Sequence, residues 1–209
     1  MKIVVIDYGS GNVESVVNAL SLFSGSDKIL VSKKPAEIRA ANYLILPGVG
    51  AFADCMDGLK SVEGLLPELR KQVLIEKKPF LGICVGMQVL ASIGRENGEH
   101  QGLGFINGKV EKISAAQGLK IPHMGWNEIA LKATKHPALK GINNGDHFYF
   151  ANSYHFTCQN ENNVLAEVEY GSKINAVIAK ENILGIQFHP EKSGEAGLKI
   201  LQNFLNWRP

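Results

Sequence analysis

Apolar and polar positions alternate with two different rhythms in the two halves of the chain. In the first half, short unbroken apolar runs are followed by segments with helical spacing. Lys2 to Asp7 predicts a strand buried on both faces, and Val13, Val16, Val17, Leu20 and Phe23 mark the apolar face of a following helix. Lys28 to Ser32 and Tyr43 to Leu46 predict two more strands. Helical patterns cover Ala53 to Lys60 and Leu65 to Lys77, and Phe80, Leu81 and Ile83 form a fourth strand behind Pro79. The order β-α-β-α-β-α-β predicts an α/β three-layer sandwich with a mainly parallel central sheet.

After Glu96 the rhythm shortens. Strands are expected at Phe105 to Ile113, Asn127 to Leu131, His147 to Ala151, Val164 to Tyr170, Ile174 to Ala179 and Ile183 to Phe188, with little helix until Gly194 to Trp207. Glu181-Asn182 reads as a hairpin turn between the last two strands. A mixed or antiparallel addition is therefore expected, covering the rim where the fourth strand ends. No repeat, linker or low-complexity tract interrupts the pattern, so residues 1–209 are expected to form one domain.

Composition narrows the function classes. The chain has 209 residues, 45% of them apolar and 20% charged, with a net charge of only +2 and its basic residues scattered. Neither a nucleic-acid footprint nor a membrane-binding surface is expected. No apolar run approaches spanning length, and the chain opens on a strand rather than a leader segment. Cys55, Cys84 and Cys158 form an odd set without zinc-type spacing, which suggests free thiols in a reducing compartment, the cytoplasm.

The chemistry concentrates where the fourth strand stops, in Gly82-Ile83-Cys84-Val85-Gly86-Met87-Gln88. Cys84 falls on a sharp turn between that strand and a helical pattern beginning at Met87. Gly82 and Gly86 leave room there, because a Cβ at either position would collide with the crossing backbone. This is the pattern of a nucleophile elbow with Cys in place of Ser. A helix N-terminus would favour the thiolate, and the Val85 N–H would point towards the oxygen of an attacked carbonyl. A free cysteine is most often a small buried hydrophobe, but paired glycines have no purpose in a plain core strand.

A cysteine nucleophile needs a base. Of six histidines, His189 is the best framed, ending the apolar run Gly185-Ile186-Gln187-Phe188 ahead of Pro190-Glu191. Side chains two apart on an extended backbone share a face, so Glu191 can accept from one ring nitrogen while the other takes the Cys84 proton. His123, in Ile121-Pro122-His123-Met124-Gly125-Trp126-Asn127, reads as structural, with Trp126 beside Gly and Met resembling a partner-binding patch. His100, His136 and His147 lie in polar, turn-like contexts, and no metal or cofactor is expected.

Two glycine-rich loops complete the pattern. Tyr8-Gly9-Ser10-Gly11-Asn12 lacks the third glycine of a dinucleotide fingerprint, and Glu14 would meet a pyrophosphate in the first helical turn. Pro47-Gly48-Val49-Gly50, beyond the third strand, lies at the sheet edge that carries the elbow and can supply a second oxyanion donor.

These residues resemble the class I (triad) glutamine amidotransferases. Asp7-Tyr8-Gly9-Ser10-Gly11-Asn12, Pro122-His123-Met124-Gly125-Trp126-Asn127 and Glu191-Lys192-Ser193-Gly194 resemble in particular the branch that serves imidazole glycerol phosphate synthase as its glutaminase subunit. The resemblance runs nearly end to end. It implies hydrolysis of L-glutamine to glutamate and ammonia, with Cys84 as nucleophile, His189 as acid and base, and Glu191 orienting His189. It also implies an oxyanion hole from Val49, Gly50 and Val85, and substrate contacts from Gln88, Glu96, Ser153 and Tyr154. Ammonia would pass to a (β/α)₈ barrel cyclase, docked on a face including Asn12, Met124, Trp126 and Asn127, for histidine biosynthesis. One departure stands out: Asn152 occupies a position where the family usually carries His. A paralogous glutaminase feeding surface-sugar amidination therefore stays open as an alternative. A PfpI-like cysteine hydrolase is a more distant one, since such proteins place their histidine soon after the elbow.

Overall fold

A computed structural model describes residues 1–24, 28–114, 118–133 and 135–209. The first half follows the expected alternation: β1 (Ile3–Ile6), α1 (Val13–Ser24), β2 (Ile29–Ser32), α2 (Pro35–Ala40), β3 (Tyr43–Gly48), α3 (Phe52–Lys60), α4 (Leu65–Arg70), β4 (Phe80–Cys84) and α5 (Val85–Gln88). The second half adds β5 (Ile93–Gly94), β6 (His100–Gln101), β7 (Gly108–Lys112), β8 (His123–Leu131), β9 (His147–Asn152), β10 (Tyr154–Cys158), β11 (Val164–Glu169), β12 (Lys173–Lys180), β13 (Ile183–Ile186) and α6 (Gly194–Asn206).

Nine strands form one sheet in the order β2-β1-β3-β4-β13-β12-β11-β8-β9, and β10-β7-β5-β6 form a second, smaller sheet. The five strands from β2 to β13 are mutually parallel, and from β12 outward the pairing is antiparallel. Every residue of β1, β3, β4 and β13 is buried. Because successive side chains point to opposite faces, both faces of this central part are covered. Cover comes from two helix groups, α1 with α6 and α2 with α3 and α4. On α6 the buried positions Gly197, Ile200, Leu201, Phe204 and Leu205 follow the three-and-four spacing of one helical face. No helix among the described residues is long and apolar enough to cross a membrane.

Several expectations change in detail. The antiparallel strands largely extend the same sheet, and the β9–β10 turn and the start of β8 reach the rim beside Cys84. β3 continues through Pro47 and Gly48, which pair with Ile83 and Cys84 of β4. Its ladder with β1 has ended at Ile45, so Pro47 stands where only one neighbour flanks it. The helix over Leu65 to Lys77 is α-helical only to Arg70 and continues as a π-helical turn, Lys71–Ile75.

The helix after the elbow is a single turn. Val89 and Leu90 give their carbonyls to the N–H groups of Leu103, Phe105 and Ile106 at 2.7, 2.9 and 3.1 Å, which takes the acceptors that further helical turns would need. One turn carries little macrodipole, so the environment of Cys84 is set by its side-chain neighbours.

Candidate active site

The elbow is built by three strands. In the β3–β4 ladder Gly48 stands beside Cys84, and in the β4–β13 ladder Ile186 stands beside Ile83. Cys84 itself has φ 53° and ψ −112°, a backbone conformation that L residues rarely adopt. The neighbouring glycines permit it. A Cβ at Gly82 would lie 2.5 Å from the Gly86 carbonyl oxygen, and one at Gly86 would overlap the Leu46 carbonyl oxygen. Gly48 is a third such position, not expected from the sequence, where a Cβ would sit 2.6 Å from the Gly86 nitrogen. Strain stored at one residue, with cleared space on three sides, presents Cys84 at the carboxyl edge of the sheet.

His189 reaches the same edge three residues after β13. Its N–H donates to the Tyr149 carbonyl at 2.9 Å, and its carbonyl accepts from Ser193 Oγ at 2.6 Å. Ser193 Oγ in turn accepts from the Tyr149 N–H at 3.0 Å, so β9 and the start of α6 clamp the histidine backbone. On the ring, Nδ1 lies 2.9 Å from Glu191 Oε1, and the side chain shares a cavity wall with Cys84. Glu191 gets there by a route different from the expected extended one: Pro190–Lys192 is a 3-10 turn. Asn12 Nδ2 donates to Glu191 Oε1 at 3.0 Å, fixing the carboxylate from behind. The sequence points Asn12 towards a partner; within the chain, the amide of this half-buried residue extends the hydrogen-bond chain behind His189.

Burial opposes charge on His189, but hydrogen bonds to Cys84 and Glu191 outweigh it and raise the imidazole well above its ordinary range. Burial likewise opposes charge on Glu191, yet the His189 hydrogen bond prevails and holds the carboxyl below the usual range. Burial alone pushes His123 down to about 4 and also lowers His136, and it lowers His155 against the nearby Glu111 charge. Burial also pushes the Cys55 and Cys158 thiols up to about 12, so neither competes as a nucleophile near neutral pH. Cys84 is the cysteine that faces an imidazole with a carboxylate behind it.

Beside Cys84 and His189 lies a cavity of about 310 Å³ whose walls include Val49, Gly50, Val85, Gln88, Glu96 and Tyr154. Ser153 and Asn152 also line it. Glu96 Oε2 accepts from the Phe52 N–H at the start of α3 at 2.7 Å, which leaves a carboxylate anchored at the wall. Gln88 Nε2 donates to the Tyr154 carbonyl at 2.9 Å, leaving its own carbonyl oxygen as what it can offer a ligand. Asn152 Nδ2 donates to the same Tyr154 carbonyl at 3.0 Å, so its side chain braces the wall from inside. A larger open cleft of about 720 Å³ lies against the first loop, with Asp7 and Glu14 on its wall. Among the described residues that line it there is neither a cysteine nor a histidine.

The expected partner face divides. Met124 and Trp126, 64% and 56% exposed, project from one side of β8, with Met124 on the cavity wall. Asn127 stands on the other side, where its Nδ2 donates to the Glu169 carbonyl at 3.0 Å and lies 3.2 Å from His123 Nε2. His123 is stacked between Phe150 and Tyr170 at ring separations of 4.7 and 4.0 Å, a structural setting as the sequence suggests.

The sequence also did not single out Gln187 or Ser193. Gln187 is fully buried, and its signal was a lone polar residue at the end of an apolar strand.

Comparison with known proteins agrees with this geometry. Residues 4–207 match the family model for class-I glutamine amidotransferases. Over the full length of both chains, the sequence is 48% identical to imidazole glycerol phosphate synthase subunit HisH of Rhodospirillum rubrum. It is 47% identical to the HisH subunit of Zymomonas mobilis, covering 99% of this chain and 96% of that one. In fold it resembles a crystal structure of a glutamine amidotransferase (TM-score 0.75, 21% identity, 99% and 98% coverage). It also resembles a chain in the structure of PurLQS from Thermotoga maritima (TM-score 0.71, 19% identity, 98% and 97% coverage). The chain belongs to the class I glutamine amidotransferases, within the family of HisH subunits.

Proposed function

We propose that this chain hydrolyses L-glutamine to L-glutamate and ammonia and hands the ammonia to a (β/α)₈ barrel cyclase, which makes imidazole glycerol phosphate and an aminoimidazole ribotide in histidine biosynthesis. The observation that carries the reading is Cys84 on a strained elbow, lining one cavity with a histidine held 2.9 Å from a buried carboxylate. Identity of 48% with a HisH subunit over the full length supports the pathway.

In this reading the Cys84 sulfur attacks the side-chain amide carbon of glutamine. The negative oxygen of the tetrahedral species is met by the Val85 N–H and an amide of the Val49-Gly50 segment. His189 protonates the departing ammonia, Glu191 holds its ring, and a water activated by His189 then hydrolyses the glutamyl thioester. The Glu96 carboxylate and the Gln88 carbonyl suit the substrate's α-ammonium group.

A glutaminase that turned over without its partner would waste glutamine. One oxyanion donor contributes roughly a hundredfold to a thousandfold in rate, enough for a switch. Ser10 Oγ donates to the Val49 carbonyl at 3.2 Å, tying the Val49–Gly50 peptide to the first loop. Exposed Met124 on the cavity wall, and Trp126 on the same side of β8, give a barrel partner an apolar landing point. Glutamate release by the purified chain, alone and with the cyclase added, tests both parts. Stimulation of at least roughly a hundredfold is expected. Full turnover without partner would refute the switch, and no glutamate release even in the complex would refute the function.

A further inference from the structure

We infer that Gln187 is a further residue of the reaction, donating an N–H to the Cys84 sulfur and tying the nucleophile to the wall that receives the substrate. This rests on reading Cys84 as the nucleophile. Register explains why the two meet. Ile186 pairs with Ile83 as the last rung of the β13–β4 ladder, so the residues that follow them, Gln187 just past β13 and Cys84 at the end of β4, leave the ladder together.

Gln187 Nε2 lies 3.7 Å from Cys84 Sγ, within range of a hydrogen bond to sulfur. Which end of the amide faces the sulfur is fixed by a chain of partners. The Tyr154 carbonyl can only accept, so the Gln88 atom 2.9 Å from it is the nitrogen. The same Gln88 Nε2 lies 3.1 Å from Gln187, whose facing atom must then be the carbonyl oxygen Oε1. That leaves the Gln187 nitrogen towards Sγ, and the sulfur as acceptor.

The arrangement has two consequences. An N–H directed at sulfur favours a lone pair there, which is what an attacking thiol must present, and restricts the rotamer of the Cys84 side chain. Gln187 also joins the nucleophile to Gln88 and Tyr154, so an ordered substrate wall and an ordered sulfur support one another. Gln187 is fully buried and Gln88 nearly so, so water does not replace the contact when it is lost.

The test is alkylation of the full chain by iodoacetamide at pH 7, followed by mass spectrometry of the Cys84 and Cys158 peptides. Gln187→Glu keeps an acceptor for Gln88 but puts an oxygen against the sulfur, and Gln187→Met removes both bonds at similar length. The inference expects alkylation of Cys84 to slow about five- to tenfold in each variant, the scale of one hydrogen bond, with the Cys158 rate unchanged. In the complex, kcat for glutamine should fall by at least as much, with KM moving less because the Gln88–Tyr154 bond persists. If Gln187→Glu does not fold, Gln187→Met carries the same expectation. Unchanged Cys84 alkylation in a folded variant would overturn the role of Gln187 alone. Failure of Cys84 to alkylate in the unsubstituted chain would instead overturn the nucleophile itself.

Discussion

Replacing Cys84 with alanine is expected to lower glutamine hydrolysis by the partner-bound chain about a million-fold, to the level that binding alone provides. The reason is that no other group here can take its place. Burial keeps Cys55 and Cys158 as thiols, and the one imidazole raised above its ordinary range is directed at position 84. A paired substitution separates chemistry from strain. Alanine keeps a Cβ at φ 53°, whereas glycine accepts that backbone readily. Cys84→Gly should therefore be equally inactive but about 1–2 kcal/mol more stable than Cys84→Ala in urea unfolding. Equal stabilities would show that the elbow stores no strain.

Gly86→Ala should give the largest loss of stability. Its Cβ would overlap the Leu46 carbonyl oxygen, which belongs to the backbone of a central strand and has no rotamer by which to yield. Separating β3 from the elbow would cost at least about 3 kcal/mol, seen as a lowered urea midpoint or as failure to fold. Gly9→Ala is the matched comparison. Its φ of +99° strains any side chain, but nothing lies within 4 Å of the added Cβ, so only about 1–2 kcal/mol is expected. Similar losses from both would mean that backbone conformation, and not crowding, decides the need for glycine at the elbow.

The parallel half was legible because its strands are buried on both faces and appear as continuous apolar runs, and its helices show a single apolar stripe. β5, β6 and β10 were missed: two are only two residues long, and β10 carries polar residues on its partly exposed positions. His189 and Glu191 were found as neighbours in sequence, although the contact is made through a 3-10 turn and not along a strand. The bond from Asn12 to Glu191, and the contacts of Gln187 and Ser193, escaped notice for a different reason. Each of these residues acts on a triad residue through a contact that exists only once β1, β9 and β13 are assembled. Spacing along the chain reports neighbours on one element, and these partners come from separate ones. The same holds for Asn127, whose side of β8 could be read only once the strand was seen to begin at His123.

The most direct measurement is chemical capture of the intermediate. The chain bound to its cyclase is mixed with glutamine, quenched in acid within the first turnovers, digested, and examined by mass spectrometry for a glutamyl group. The adduct is predicted on the peptide that carries Cys84, absent from Cys84→Ala and from the peptides of Cys55 and Cys158. A glutamyl group on either of those cysteines would contradict the assignment of nucleophile. So would glutamate release at full rate by Cys84→Ala.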